Sequence, residues 1–167
     1  MNERQKGFYA QLGKLSVNFA IMEYKLRVIL NYLIGAEDEL IAATITENNN
    51  LYGTIELIKK VNRIKSFQEE RMTELLNRIS NIKSDRNFFI HGIWHDPIEI
   101  ENDISIVCDN RKIKYRELPT IDGTARSWQF NNPKTYKLSF LIELTSNIED
   151  IINTEDQMIE ELEKETW

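Results

Sequence analysis

The segment Asp85–Gly92 places an arginine, an amide and a histidine (Arg86, Asn87 and His91) within about two turns of a predicted helix. An imidazole exchanges protons near neutral pH, and a guanidinium offers a rigid fork of donors to an anion. Arg86 also falls where the apolar spacing of its helix expects a hydrophobic side chain. A charge at such a position must be paired, must face a partner subunit or must take part in chemistry.

Three predicted helices precede this motif, and a fourth contains most of it. Apolar residues three and four positions apart predict a first long helix from Asn2 to Ile34, ended by Gly35. The other predicted helices are Glu37–Thr46, a third from Leu51 that is capped by the asparagines at 48–50, and Ser66–Ile90. In the last of these, Ser66 and Glu69 have the spacing of a capping box, and Gly92 marks the helix end.

After Gly92 the apolar pattern changes from a helical period to alternation, which predicts β-strands. Predicted strands cover Ile98–Glu101, Ile104–Ile106, Lys112–Tyr115 and Ser127–Phe130, with a loop at Pro119–Gly123. Asn132-Pro133 has the form of a helix start, cap then proline. The final helix carries an apolar seam to the C-terminus: Leu138, Leu141, Leu144, Ile148, Ile151, Met158 and Leu162.

These patterns predict one mainly α-helical domain over residues 1–167. Its architecture would be an antiparallel helix bundle with a small β-meander, residues 93–131, inserted before the last long helix. The first and last helices are long for a lone bundle of this size, and a homodimer that buries a further face would explain their length.

Composition limits the class of protein. The 167 residues are 41% hydrophobic and 29% charged, which is typical of a globular domain. The sequence contains no apolar run that could span a membrane and no signal peptide, and its single cysteine fits a reducing compartment, so we expect a cytoplasmic protein. The net charge of −6 disfavours a general nucleic-acid coat, but the exposed side of the third helix is positive, at Lys59, Lys60 and Arg63. A second basic cluster comprises Arg111, Lys112, Lys114 and Arg116.

The run Arg86-Asn87-Phe88-Phe89-Ile90-His91 resembles the motif of the HEPN superfamily, which consists of small helical domains that often act as ribonucleases. That motif is an arginine, a polar residue and a histidine a few positions later, near the end of a late helix. The glycine after the histidine and the helical frame from Asn2 to Gly92 fit the resemblance as well. The β-insertion departs from it.

The resemblance implies a metal-independent endoribonuclease that needs no cofactor and works as a homodimer. Two copies of the motif would meet in one cleft, with Arg86 and His91 as the catalytic pair and Asn87 as a supporting polar group. Cleavage of RNA can use the neighbouring 2′-hydroxyl as nucleophile, with histidine moving protons and arginine stabilising the phosphate. We expect RNA to dock on Lys59, Lys60, Arg63 and the insertion. Such a protein could be the toxic half of a defence or toxin–antitoxin system, with an antitoxin protein as partner.

Other interpretations of the same residues stay open. Arg86 could simply pair with a carboxylate such as Glu23 or Asp85 while His91 ends the helix; Glu23 could instead pair with Arg27 on its own helix. His91, His95 and Asp96 could be metal ligands, although Gly92 and Pro97 interrupt the helix that would align them. Trp94 and Trp128 could stack on bases or pack in the core. The rival function is a non-catalytic dimeric module that binds RNA, a nucleotide or a protein.

Overall fold

The computed structural model describes residues 3–35, 39–46, 49–100, 103–109, 114–120, 123–129 and 133–165. The predicted class is confirmed: the protein is mainly helical, with antiparallel β-structure before the last long helix. The helices are α1 (Glu3–Ile34), α2 (Glu39–Thr46), α3 (Leu51–Lys65), α4 (Glu69–His91) and α5 (Leu138–Leu162). The strands are β1 (Ile93–Trp94), β2 (Ile98–Ile100), β3 (Asp103–Asp109), β4 (Lys114–Thr120), β5 (Gly123–Gln129) and β6 (Lys134–Lys137).

The two longest helices, α1 and α5, lie side by side and run in the same direction. Polar bridges leave α1 every seven residues, the repeat of a coiled coil, and their partners on α5 are four and then seven residues apart. The bridges join Gln11 to Thr145 (2.6 Å), Asn18 to Glu149 (3.3 Å), Lys25 to Asp156, and Tyr32 to Glu163 (2.9 Å). α4 ends beside Phe19 of α1, and the strand region continues from there to the end of the bundle where α1 begins, at the contact of Trp94 with Phe8. α5 begins there as well and therefore repeats the direction of α1.

The predicted seam of α1 forms the centre of the core. Seven of its eight members are fully buried, namely Phe8, Leu15, Phe19, Met22, Leu26, Ile29 and Leu33. The eighth, Leu12, is partly buried and packs against the core. The seven buried residues pack with Ile55 and Ile58 of α3, Met72, Leu75 and Ile79 of α4, and Leu141, Ile148 and Ile151 of α5. The spacing of apolar residues was therefore sufficient to identify the faces that meet.

A buried asparagine fixes the corner between α3 and α4. The Asn62 side chain accepts a hydrogen bond from the Phe67 amide (3.1 Å) and donates one to the Phe67 carbonyl (2.9 Å). The prediction that Ser66 begins α4 is wrong, because Ser66 ends α3 in a left-handed conformation with φ 54° and α4 begins at Glu69. By contrast, the predicted cap at Asn50 is confirmed by its bond from the Gly53 amide (3.0 Å).

The larger sheet is built around β3. β1 and β2 pair with one edge of β3, and β6 pairs with the other, all antiparallel. Between Trp94 and Ile98 the outer strand has one residue more than the facing part of β3, which is the count of a β-bulge, and Pro97 lies there. The predicted helix start at Asn132-Pro133 is wrong: residues 134–137 form β6 and the helix begins at Leu138, while Asn132 lies outside the described residues.

The smaller sheet is the hairpin β4–β5, which interrupts the path from β3 to β6. Its register runs from Lys114 opposite Gln129 to Thr120 opposite Gly123. Pro119 is part of β4, so the strand extends into the segment predicted as a loop. The hairpin has seven residues in each strand and is therefore about 23 Å long. Among the described helices, none combines the length and apolar character needed to cross a membrane.

One buried carboxyl lies within the seam of α5. Glu155 occupies the interval between Ile151 and Met158, is 0% exposed, and neither carboxylate oxygen has a hydrogen-bond partner. Burial raises the pKa of Glu155 to about 9; Lys25 opposes the shift and Asp156 adds to it. The side chain is therefore neutral at physiological pH.

Glu155 should make the stability of the fold depend on pH. The folded state keeps a proton that the unfolded chain releases above its ordinary pKa of 4.5, so stability should fall as the pH rises from about 4.5 to about 9. The variant Glu155→Gln removes this dependence. We expect it to exceed the parent in free energy of unfolding by on the order of 3 kcal/mol at pH 8 and to match it near pH 4.5. Urea denaturation across this range measures both; a constant difference between the two proteins would contradict the assignment.

Candidate functional site

The Arg86 guanidinium is held against α1 by a carboxylate. Arg86 Nε donates to Glu23 Oε1 at 2.7 Å and Arg86 Nη2 donates to Glu23 Oε2 at 3.1 Å, a two-pronged ion pair. Both side chains are mostly buried, with exposed fractions of 22% and 17%. Glu23 lies beside Met22 on the flank of the α1 seam, so the interface of α1 and α4 carries this charge pair at its edge. The pairing partner is Arg86 and, among the described contacts, not Arg27.

His91 is the last residue of α4, and its side chain is exposed. It follows Arg86 by five positions, which on an α-helix corresponds to about 7.5 Å along the axis and roughly 140° around it. Within one chain, therefore, Arg86 is turned towards α1 and His91 towards solvent. Asn87 follows Arg86 in the same helix; its side chain lies outside what the structure describes.

Aromatic rings hold the end of α4 against α1 and the sheet. Phe89 packs against Trp94 of β1 (5.4 Å between centroids), Tyr136 of β6 (4.9 Å) and Phe19 of α1 (6.3 Å). Trp94 also meets Phe8 (6.3 Å) and is part of the core, not a free stacking surface. The backbone that carries His91 is consequently anchored from two sides.

A second set of polar contacts joins β6 to the same turn of α4. The Tyr136 hydroxyl donates to Asp85 Oδ1 (3.3 Å), and Lys134 Nζ lies 3.5 Å from the same oxygen and 4.4 Å from the Phe88 ring centre. Burial, with the Asp85 carboxylate nearby, raises the pKa of Tyr136 far above its usual range, so the phenol stays protonated and acts as a donor. Lys134 and Tyr136 thus hold Asp85, the neighbour of Arg86.

Close packing of Gly92 on β3 completes the anchor. A Cβ at Gly92 would overlap Cys108 Sγ and the Phe88 carbonyl oxygen, so no larger residue fits without displacement. The Cys108 thiol donates to that carbonyl at 3.4 Å, and burial raises its pKa to about 11, with Asp109 contributing. Cys108 therefore works as a neutral packing group.

The basic residues predicted on the third helix lie far from His91. Lys59, Lys60 and Arg63 are in the second half of α3, near the corner that leads into the start of α4. His91 is at the other end of α4, whose 23 residues span roughly 34 Å. Within one protomer the structure does not bring these lysines and arginine together with Arg86 and His91. Lys59 pairs instead with Glu56 of its own helix (3.1 Å).

The alternative metal site is not assembled. His95 lies in the outer strand and its Nε2 is 2.7 Å from Asp109 Oδ2, at the end of β3. Within the described ranges, no three His, Cys, Asp or Glu side chains are grouped so that they could hold a metal ion.

Sequence reasoning missed the supports of the motif: Tyr136, Lys134 and the contact between Gly92 and Cys108. Tyr136 and Lys134 alternate in sequence, and that period-two signal was available, but the adjacent Asn132-Pro133 favoured a helix. Comparison of the chain with protein-family profiles, curated proteins and solved structures finds no match.

Replacement of Gly92 should weaken the packing of the end of α4, which carries His91, against β3. Gly92→Ala forces Cys108 and the end of α4 apart, and we expect a loss of about 2 kcal/mol in the free energy of unfolding. Gly7→Ala is the matched control, because nothing lies within 4 Å of a Cβ there. It should stabilise α1 by about 0.5–1 kcal/mol. Thermal unfolding measures both changes, and equal effects would show that β3 does not constrain Gly92.

Proposed function

We propose that this protein is a metal-independent endoribonuclease of the HEPN type that acts as a homodimer in the cytoplasm. The observation that supports it best is that an exposed histidine and an arginine oriented by Glu23 both lie on the anchored last two turns of α4. An arginine whose guanidinium is fixed in direction loses less freedom when it binds a phosphate. The proposed biological role is that of a toxin or defence effector, restrained by an antitoxin protein.

The chemistry needs only groups of this chain and of the RNA. The 2′-hydroxyl attacks the adjacent phosphorus, the 5′-oxygen of the next nucleotide leaves, and the products end in a cyclic phosphate and a 5′-hydroxyl. His91 would take up or deliver the proton, because an imidazole can serve as either a general base or a general acid. Arg86 would stabilise the extra negative charge on the phosphate oxygens, and Glu23 would act as its positioning residue. Asn87 stays a proposed supporting group.

An apolar face of α1 supports the homodimer. The side of α1 that turns away from the core is free of charge over several turns and consists of Ala10, Gly13, Val17, Ala20, Ile21 and Tyr24, all exposed. Val17 and Tyr24 are 58% and 68% exposed. Ile90 and Ile93, on either side of His91, are also more than 40% exposed. A two-fold contact over these residues would bury them and bring two copies of the motif to one groove.

The nuclease proposal is tested with purified protein, single-stranded RNA and a chelator. We expect cleavage by the parent and a loss of at least 100-fold in rate for His91→Ala, the usual contribution of a proton-transferring group. His95→Ala is the matched control and should cleave like the parent. Because Arg86→Ala would leave the Glu23 carboxylate unpaired and mostly buried, Arg86→Lys and Glu23→Gln are assayed with their folding checked by circular dichroism. Cleavage by His91→Ala at the parent rate would refute the assignment.

The dimer is tested by light scattering after size-exclusion chromatography. Val17→Asp together with Tyr24→Asp should convert the dimer to a monomer, since a carboxylate in an apolar contact lacks a partner. Ile64→Asp is the control, because Ile64 is 84% exposed on α3, away from the proposed face. A parent that is already monomeric at micromolar concentration, or a double variant that still dimerises, would contradict this interface.

The second candidate is the non-catalytic module, and one observation favours it. Arg86 donates hydrogen bonds to both carboxylate oxygens of Glu23 in its own chain, as it would in an ion pair that serves only the fold. Such a module would bind RNA, a nucleotide or a protein without cleaving it. Binding that persists in His91→Ala, with no cleavage by either protein, would select this function.

A further inference from the structure

A lysine of β6 lies along the end of α4. Lys134 is directly opposite Cys108 in the sheet, so both side chains belong to the same face, and on that face the Cys108 thiol packs directly on Gly92. The Lys134 ammonium nitrogen is 4.4 Å from the centre of the Phe88 ring and 3.5 Å from Asp85 Oδ1. The lysine side chain therefore starts at the level of Gly92 and runs back along α4 towards Asp85.

His91 occupies the neighbouring position on the surface of α4. It follows Phe88 by three residues, which places the two side chains about 60° apart around the helix axis and one turn apart along it. Helical side chains lean towards the N-terminus, so the imidazole of His91 inclines towards Phe88, the ring that Lys134 covers. Arg86 is about 160° around the axis from Phe88 and is held against α1. Within one protomer, the fold therefore places Lys134, rather than Arg86, on the side of α4 that carries His91.

The charge of Lys134 is also more available to a ligand than that of Arg86. The Arg86 side chain is 22% exposed and donates to both carboxylate oxygens of Glu23. The Lys134 side chain is 44% exposed, and its distance of 3.5 Å to Asp85 is longer than the about 2.7–2.9 Å of a strong charge-assisted hydrogen bond. The Tyr136 hydroxyl donates to the same Asp85 oxygen at 3.3 Å, so that carboxylate keeps a donor if the flexible lysine turns away.

We infer that Lys134 binds the phosphodiester of single-stranded RNA beside His91 of the same protomer. Its ammonium would lie against the non-bridging phosphate oxygens and neutralise the charge that builds up on them when the 2′-hydroxyl attacks. Lys134 would transfer no proton, which remains the role of His91. This inference rests on the proposed function for its reaction. It adds to the proposed site a cation that does not depend on a second copy of the chain.

Binding is measured separately from cleavage, with a fluorescein-labelled deoxyuridine hexanucleotide, a single strand that lacks the attacking 2′-hydroxyl. Lys134→Met removes the charge and keeps an apolar stem on the Phe88 ring. Lys137→Met is the matched control, because Lys137 is an exposed residue of the same strand on the opposite face of the sheet.

We expect Lys134→Met to bind the hexanucleotide about 5-fold more weakly than the parent by fluorescence anisotropy. The slope of log affinity against log salt should fall by about 0.7, which is the loss of one phosphate contact on a single strand. Lys137→Met and the charge-conserving Lys134→Arg should stay within about 2-fold of the parent and keep its salt slope. Thermal unfolding checks that each variant is folded.

Cleavage kinetics test whether the same contact acts in the transition state. Lys134→Met should lose about 100-fold in kcat with a much smaller change in KM, because the negative charge on the phosphate grows as the reaction proceeds. Lys134→Arg should recover most of this loss. A lysine that only packs against α4 would not give a loss that an arginine restores and that falls mainly on kcat.

The outcomes separate this inference from the nuclease proposal. If Lys134→Met binds the hexanucleotide with the affinity and salt slope of the parent, or if Lys137→Met weakens binding as much, the inference is overturned even if the protein cleaves RNA. A parent that does not bind the probe overturns it as well. Weaker binding by Lys134→Met alone supports the phosphate contact even if no protein cleaves RNA. Inorganic phosphate that competes as well as the oligonucleotide would assign the site to the free anion and overturn the inference.

Discussion

The ion pair between Glu23 and Arg86 is the contact on which the proposed site depends. It joins α1 to α4 across 63 residues of sequence at the edge of the core, where both groups are largely withdrawn from water. A guanidinium in that position is costly unless a carboxylate satisfies it, and the two-pronged geometry also fixes its direction. The same contact therefore serves the fold and sets where an anion could meet Arg86.

The strand region acts chiefly as an anchor for the end of α4. Gly92 against Cys108, the rings of Phe89, Trp94 and Tyr136, and the polar contacts of Asp85 hold the helix terminus that carries His91. A catalytic group works best on a rigid backbone, because a displaced proton donor lowers the reaction rate even when its own chemistry is intact. The sheet therefore supports the helix end that carries the motif.

Local patterns predicted those parts of the fold that local forces decide. The seam of α1, the cap at Asn50 and the stop at Gly35, which has φ 65°, follow from spacing and from the conformations that these residues favour. The helix starts predicted at Ser66 and at Asn132-Pro133 are wrong because contacts outside the local pattern determine the structure there. Asn62 binds the backbone of Phe67 at the α3–α4 corner, and residues 134–137 pair with β3 as a strand. Glu155 fills the gap that the apolar spacing of α5 leaves between Ile151 and Met158, yet nothing in that spacing predicts a buried, unpaired carboxyl.

The proposed site likewise has features that follow from local sequence and features that depend on distant contacts. Arg86 and His91 were identified from their types and spacing, but the partner of Arg86 was not decided, because Arg27 is close to Glu23 in sequence while Arg86 is close only in the fold. The distance from Lys59 and Arg63 to His91 likewise follows only from the fold, in which α3 runs back beside α4 and its first turn, at Tyr52, contacts Lys83. Charge in the sequence shows that a polyanion could bind, but only the fold determines how far a basic segment lies from Arg86 and His91.

The chain contains two histidines, so NMR of their imidazole protons gives a direct test. In a titration with an uncleavable 2′-deoxy oligonucleotide, the His91 resonances should shift and saturate, while those of His95 move little. Saturable binding of the oligonucleotide that leaves the His91 resonances unchanged would contradict the claim that Arg86 and His91 form a site for the RNA backbone.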